Sequence, residues 1–388
     1  MSRRRSKFTP LTTRPSLTSR QGITRTMTMG DLVADVTTNG ISGAPCVFSH
    51  GRIDLSHMLQ PQTRADLFRL LGDEDRLRLF ALCADDELTV GELAEVLDDS
   101  QSQVSRRAQA LRAAGLLSSR KDGTRTYLKA LPDSGDDAGI VAAALDEGRR
   151  LCRKDRLLAK VPRILRARED GSRRFFDEAT APTMTSAAPP AVLGLLPLLR
   201  PLLAERAQGL CVDVGAGDGL LLPLLSPLFE RVFAVDRSPA RLAACARLTS
   251  DLGLPNVRLL QGDADDVAVY EACFRMGGAS VVVVARTLHH AARPVDLLAA
   301  CARLLREDGV VVVVDYLPHD DEQMREQGDV WLGFSPDKLA ALARDAGLSP
   351  LASAPMQAPA SFSDSHLPWQ WMAATKGAPR VRGSAAVQ

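Results

Sequence analysis

The chain has 388 residues, enough for two to three domains at about 150 residues each. Its 45% hydrophobic and 24% charged content excludes a wholly disordered or collagen-like polymer. Lys+Arg (48) and Asp+Glu (47) nearly cancel to +1, so a nucleic-acid surface has to show as local segregation of charge, and 4% aromatics argue against a stacking platform for single strands. Seven scattered cysteines (Cys46, Cys83, Cys152, Cys211, Cys245, Cys273, Cys301) contain no CxxC pair and read as reduced, mostly buried thiols of a cytoplasmic protein. No apolar run is long enough for a membrane span; the nearest, 191–203, is broken by Pro197 and Pro201.

In chain order the sequence divides into a basic arm (1–60), a small helical unit (61–131), a basic helical connector (132–190), an α/β unit (191–376) and a tail (377–388). The first 30 residues hold seven Arg or Lys and no acid. They read as a disordered arm or as an overlong start whose true beginning is Met27, Met29 or Met58, with a transit peptide as the remaining alternative.

In the small unit, Leu67, Leu70 and Leu71, then Leu77, Leu79, Phe80 and Leu82, recur near helical spacing, separated by Gly72 and the Asp73-Glu74-Asp75 start signal. Thr89 is expected to cap a helix from Val90 to Leu97. Ser100 should cap a second one running to Ala114, closed by Gly115. Two short strands, 116–119 and 124–128, flank Lys121-Asp122-Gly123, a hairpin signal. Helix, tight turn, helix and basic hairpin make a winged helix-turn-helix. Between Ser100 and Lys129 seven basic residues face one acid, Asp122. The expected DNA-contacting residues are Gln101, Ser102, Gln103, Ser105, Arg106 and Arg107 on the recognition helix, and Arg120, Lys121 and Arg125 on the wing: short polar groups and cations that reach base edges and phosphates.

The words "LFRLLGDEDRLRLFALC", "ELTVGELAEVLDDSQSQVSRRAQALRAAGLL" and "SRKDGTRTYL" resemble the ArsR-type winged-helix transcriptional regulators over about 70 residues. The resemblance implies a homodimer on a two-fold, double-stranded operator. Metal-sensing members carry cysteines where this chain has Thr89 and Gly91, and no His lies between His57 and His289, so no metal site is expected here. The connector holds eleven basic residues and three acids between Arg149 and Arg174. Its apolar Leu151, Leu157, Leu158, Val161, Ile164 and Leu165 suggest an amphipathic helix kinked near Pro162 that docks against the neighbouring domain or dimerises, with contact to DNA flanks as the other reading.

From Gly209, apolar runs at 210–214, 232–235, 257–260, 280–285 and 310–314 alternate with helical stretches, the pattern of a doubly wound, Rossmann-like parallel sheet. Ligand sites of such sheets lie at the carboxyl ends of the strands. The first strand ends in "VDVGAGDG", placing Gly215, Gly217 and Gly219 in the strand-to-helix turn, where the backbone turns tightly and approaches a ligand. The second ends at Asp236, suited to a ribose diol, and the third leads to Gly262-Asp263-Ala264, suited to an adenine edge. The spacing is GxGxG rather than GxGxxG, and Asp213 and Asp218 would repel a pyrophosphate but suit a cationic sulfonium amino acid.

The pattern resembles the class I S-adenosylmethionine-dependent methyltransferases, and "LHHAARPVDLLAACARLLREDGVVVVVDYLPHD" looks like their ubiquinone/menaquinone-type branch. The resemblance implies S-adenosyl-L-methionine as cofactor, with Asp213, Gly215, Ala216, Gly217 and Gly219 at its methionine portion and Asp236 and Arg237 at the ribose. Gly262, Asp263 and Ala264 then lie by the adenine, and Arg286 at the fourth strand end. Candidates for taking a proton from the acceptor are His290 and His319, near Arg286, His289 and Asp315; packing or helix capping is the other reading of His289 and His290. Met324, Arg325 and Trp331 are placed at the acceptor or over the pocket, with Trp331 and Phe334 as core the alternative. "RRFFDEATAP" resembles a cofactor-covering segment and adds Phe175, Phe176 and Asp177. Two functions follow: a DNA-binding regulator carrying a methyltransferase that acts on a small molecule, or a non-catalytic sensor of S-adenosylmethionine or S-adenosylhomocysteine that controls operator binding.

Overall fold

Side-chain caps set the helix starts of the amino-terminal part. The computed structural model describes residues 63–131, 135–178, 209–356 and 364–377; the arm, the segment 179–208 and the residues after 377 lie outside it. Helix α1 (Arg64–Leu71) starts at Thr63 and α2 (Glu74–Asp85) at Asp73, whose side chains accept from the Asp66 and Arg76 amides. After β1 (Leu88–Thr89), α3 (Val90–Leu97) opens with a Thr89–Glu92 capping box. Asp98 turns the chain at φ 54°, and Ser100 caps α4 (Gln101–Ala113) by accepting from Gln103 N–H. Strands β2 (Leu117–Asp122) and β3 (Arg125–Ala130) pair through Gly123-Thr124, and β1 joins them in the order β1-β3-β2. The winged helix-turn-helix expected from the sequence is present.

The connector differs from its expected form. It is two helices, α5 (Ala138–Lys154) and α6 (Val161–Glu178). The break lies at 155–160, where Arg156 takes φ 57°, and Pro162 sits in the first turn of α6 rather than at a kink. Leu145, Leu151, Cys152, Leu157, Val161, Ile164 and Leu165 are buried in one cluster with Leu79, Phe80, Leu93 and Leu111. The apolar stripe therefore completes the core of the winged helix, which extends well past residue 131.

The second part is a seven-stranded sheet of β4 (Leu210–Val214), β5 (Arg231–Asp236), β6 (Val257–Gln261), β7 (Ala279–Ala285), β8 (Leu305–Tyr316), β9 (Leu348–Met356) and β10 (Trp369–Lys376), in the order β6-β5-β4-β7-β8-β10-β9. The first five run parallel and β10 is antiparallel to both β8 and β9. Valines alternate between the two faces: Val282, Val284, Val311 and Val313 enter one hydrophobic layer, and Val281, Val283, Val310, Val312 and Val314 the other. A strand covered on both sides needs such a run. The final hairpin was not read from sequence. Pro350 and Pro355 interrupt β9, which is tolerated because β9 is an edge strand.

The two parts pack against each other through the wing. Tyr127 of β3 is buried against Trp331, with ring centroids 4.8 Å apart, and belongs to the sheet domain's core cluster. The carboxylate of Asp122, at the hairpin turn, accepts from Arg325 (3.0 Å) and from Leu332 N–H (2.9 Å). Glu322 accepts from Thr124 N–H, Lys338 pairs with Glu87, and Arg293 pairs with Asp86 at 2.8 Å.

Gly148 of α5 lies so close to α2 that a Cβ there would come 2.3 Å from the Leu77 carbonyl oxygen. Alanine is the better helix former by about 1 kcal/mol. The expected outcome for Gly148→Ala is nevertheless a loss of about 1–3 kcal/mol, read by urea unfolding, because the helices must separate.

Candidate cofactor cleft and nucleic-acid face

Winding of the sheet reverses between β4 and β7, which opens a crevice at their carboxyl ends. The turn after β4 is built by hydrogen bonds to β5: Gly215 and Ala216 N–H donate to the Val235 carbonyl at 2.8 and 3.0 Å. The Asp236 carboxylate accepts from Gly217 N–H (2.8 Å) and Ser238 N–H (2.9 Å). Two fixed amides thus hold the acid at the strand end while further lone pairs remain for a diol.

The three glycines do different work, and the sequence could not separate them. All have positive φ (71°, 56° and 86°). A Cβ on Gly215 would meet Thr287 Oγ1 at 2.5 Å, and one on Gly219 would meet Cys245 Sγ at 2.9 Å, so these two are required by packing inside the domain. At Gly217 the nearest atom is Arg241 Nη1 at 3.6 Å, and this glycine leaves the open face of the turn. Thr287, which closes over Gly215 and was not singled out by sequence, donates to the Val214 carbonyl at 3.4 Å.

Asp213 is 2% exposed and its Oδ2 has no hydrogen-bond partner. Burial, with the charge of Asp236 beside it, pushes its carboxyl up to about 7. Asp218 is raised as well by burial, which its 3.5 Å pairing with Arg241 only partly offsets. An orphaned buried carboxylate oxygen beside a glycine turn fits a cationic group and not a phosphate. Arg237 is half-buried beside Asp236. Gly262 (φ 149°) donates to the Asp236 carbonyl at 3.1 Å, Ala264 is buried, and Asp263 is exposed with its N–H bonded to Asp266 at 2.8 Å.

At the ends of β7 and β8 lies a second cluster. Arg286, at φ 55°, pairs with Asp364 at 2.7 Å, and the Tyr316 hydroxyl donates to the same carboxylate. His289 is buried, with Nδ1 2.9 Å from Asp315 Oδ1 and Nε2 3.5 Å from Asp329 Oδ1. His290 is turned inward, with Nδ1 3.0 Å from the Gly328 carbonyl. His319 is half-buried, edge-on to Tyr316 at 5.6 Å, and neither of its ring nitrogens has a partner. Burial lowers its pKa, so the ring is neutral and able to accept a proton. Sequence reasoning missed Asp329 and Asp364. They are single acids far along the chain, brought in only by the loop after β8 and the approach to β10.

Of the other acceptor-side candidates, Met324, Trp331 and Phe334 are core residues. Arg325 is occupied by the wing. Phe175, Phe176 and Asp177 have side chains outside the described residues.

On the winged helix, Gln101, Ser102, Gln103, Ser105 and Arg106 all stand exposed on the first turns of α4, as expected of a recognition helix. Arg107 is committed to Asp75 (2.8 Å) and Asp99. Lys121 and Arg125 are exposed on the wing, but Arg120 faces the sheet domain. It bonds Glu87 and Asp122 at 3.2 Å each, and its guanidinium lies 5.0 and 5.3 Å from the Tyr127 and Trp331 ring centres. Arg120, expected among the DNA contacts of the wing, is instead held at the domain junction by the aromatic pair and two carboxylates. Burial by itself would raise the carboxyl of Glu87, but Lys338 and Arg120 outweigh it and hold it below the usual range.

A winged helix on a basic recognition face, followed by a 3-2-1-4-5 parallel sheet with a glycine turn and an acid at its second strand end, defines a helix-turn-helix protein with a methyltransferase-type domain. Comparison with known families agrees: residues 212–313 match the methyltransferase domain family and residues 71–120 a helix-turn-helix domain family. An uncharacterised protein of Methanothermobacter thermautotrophicus is 33% identical over 117 residues, which are 30% of this chain and 44% of that protein. The match thus spans less than half of the relative's length. In solved structures the likeness is one of fold. An S-adenosylmethionine-dependent methyltransferase from Aquifex aeolicus is 18% identical (48% of this chain, 94% of that one, TM-score 0.38). The N-methyltransferase NodS from Bradyrhizobium japonicum, in complex with S-adenosylhomocysteine, is 16% identical (47% and 85%, TM-score 0.36). Among the described residues no helix is long and apolar enough to cross a membrane.

Because the carboxyl of Asp213 lies higher in the folded protein than in the unfolded chain, the folded state keeps a proton that the unfolded state releases. The resulting stability is full at low pH and falls as pH rises from about 4 to about 7. Asp213→Asn should flatten this slope and exceed the wild type at pH 8 by up to about 4 kcal/mol. Urea unfolding at pH 5 and pH 8 reads it; equal slopes in the two proteins would refute the raised carboxyl.

Proposed function

We propose that the protein is a DNA-binding transcriptional regulator of the ArsR type, whose second domain is an S-adenosylmethionine-dependent methyltransferase of the ubiquinone/menaquinone-like branch acting on a small molecule. The observation that carries the cofactor is the orphaned Asp213 carboxylate beside a turn whose Gly217 amide is bonded to Asp236. Asp236 and Arg237 would hold the ribose, Gly262 to Ala264 the adenine, and Asp213 with Gly215 to Gly219 the methionine portion. The cofactor supplies a methyl group already activated by a sulfonium. The protein then has to align an acceptor for in-line attack and exclude water, which supplies much of the acceleration without a strong base. His319, neutral and with unpartnered ring nitrogens, is the better placed of the two histidine candidates to take an acceptor proton. His290 is bonded inward to Gly328. On the resemblance, the acting form is a cytoplasmic homodimer on a double-stranded, two-fold operator.

A second reading is favoured by a specific contact. The wing turn is held by Arg325, Leu332 and Glu322, in the segment that follows β8 and leads to the histidine cluster. A ligand that shifts this segment acts directly on the wing. The sheet domain would then serve as a sensor of S-adenosylmethionine or S-adenosylhomocysteine, with or without turnover, provided that the ligand binds the DNA-bound and free states differently.

Arg106→Ala should weaken binding to DNA from upstream of the gene by about 1–3 kcal/mol in fluorescence anisotropy; unchanged affinity would mean that the recognition helix is misplaced. Asp236→Ala should abolish calorimetric binding of S-adenosylmethionine while circular dichroism stays native. For the sensor reading, S-adenosylmethionine or S-adenosylhomocysteine should change the operator Kd several-fold, and Asp122→Ala should remove that change. Tight operator binding indifferent to both nucleosides would leave only the enzyme reading.

A further inference from the structure

We propose that His289, His290 and Asp329 form a binding site for one first-row divalent cation, built from two imidazoles and a carboxylate beside the carboxyl ends of β7 and β8. The inference does not depend on the regulatory reading. One candidate ligand atom from each of the three residues lies within 4.8 Å of the other two. Asp329 Oδ1 is 3.5 Å from His289 Nε2 and 3.6 Å from His290 Nδ1. Ligands about 2.0–2.1 Å from a tetrahedral ion stand about 3.3–3.5 Å apart, close to both Asp329–histidine separations.

The surroundings hold these groups in place as a metal site requires. His289 Nδ1 is engaged by Asp315 Oδ1 at 2.9 Å, which orients the ring and directs Nε2 at Asp329. Asp315 is itself fixed by two backbone amides, Tyr316 N–H at 2.8 Å and His289 N–H at 3.3 Å. The two ligand loops are tied together, since Val330 and Trp331 N–H both donate to the His289 carbonyl at 3.0 Å. The second observation pointing to a ligand is Asp329 Oδ2. Asp329 is 5% exposed, and this oxygen has no hydrogen-bond partner. An unpaired carboxylate oxygen in the interior is costly unless something cationic occupies the site.

His290 Nδ1 faces the Gly328 carbonyl at 3.0 Å, and that contact has to give way for the nitrogen to turn to an ion. Two nitrogen donors and one carboxylate without a thiolate suit Zn(II), Co(II), Fe(II) or Mn(II) rather than the all-oxygen preference of Mg(II) or Ca(II). Three protein ligands leave a fourth position for water or an acceptor heteroatom.

The test uses the full chain, stripped with a chelator, dialysed and titrated with Co(II) alone. The expected result is one equivalent bound with the visible absorption of tetrahedral Co(II), no near-ultraviolet thiolate band, displacement by Zn(II), and a rise in Tm that a chelator reverses. Asp329→Asn, a substitution of the same shape, should lose the absorption and the Tm rise. His366→Gln, at an exposed histidine paired with Asp321, should keep both. Should His289→Gln fold poorly, the chelator-reversible Tm of the wild type still decides. The proposal is overturned if Co(II) and Zn(II) bind no more tightly than about millimolar, if a thiolate band accompanies binding, or if Asp329→Asn binds as the wild type does. In any of these cases, the His289 ring held between two carboxylates is an ion pair and not a ligand.

Discussion

Asp122 occupies the turn of a hairpin that is otherwise built to stand in solvent, yet its side chain is 1% exposed. A carboxylate at such a place is stable only because Arg325, Arg120 and the Leu332 amide all donate to it; removing one partner of a buried pair typically costs about 3–5 kcal/mol. The Tyr127–Trp331 contact, the position of Arg120 and the course of the chain from Glu322 to Phe334 are organised around that anion. The wing consequently belongs to two structures at once: the three-stranded sheet of the winged helix and the surface of the methyltransferase-type domain.

This shared element links the wing to the strand ends of the sheet domain. Arg325, which grips Asp122, also donates to the Val330 carbonyl at 2.8 Å, and Val330 N–H donates to His289. His289 in turn meets Asp315 at the end of β8. Among the described residues, wing and strand ends are therefore joined through a few hydrogen bonds. Ion pairs at the rim, such as Arg293–Asp86, are partly exposed and contribute less, so the specificity of docking rests on the central, desolvated contacts.

Electrostatics also divide the two carboxylates at the mouth of the cleft. Asp236 is satisfied by two amides, whereas Asp213, on the neighbouring strand β4, has an oxygen with none. The first is held as an acceptor by Gly217 and Ser238 N–H. Burial and the neighbouring Asp236 charge push the carboxyl of the second up to about 7.

Much of this was legible in the sequence because it is local. Caps at Thr89 and Ser100, the Asp-Gly hairpin, five short apolar runs and the GxGxG turn are each set by neighbours within a few residues, through backbone hydrogen bonding and the periodicity of burial. The same locality placed Asp213, Asp236 and Asp263 at consecutive strand ends. What the tertiary structure decided depends on residues far apart in the chain. The connector's apolar stripe could have faced a partner, but it closes the core against α2. Arg120 carries the charge of a DNA contact, but an aromatic pair formed with a residue more than two hundred positions away claims it. Asp329 and Asp364 have no motif around them, and only the return of the chain beside β8 brings them to His289 and Arg286. Sequence therefore determined the elements and the strand-end chemistry, whereas long-range packing and desolvation decided which charged side chains remain available to a partner.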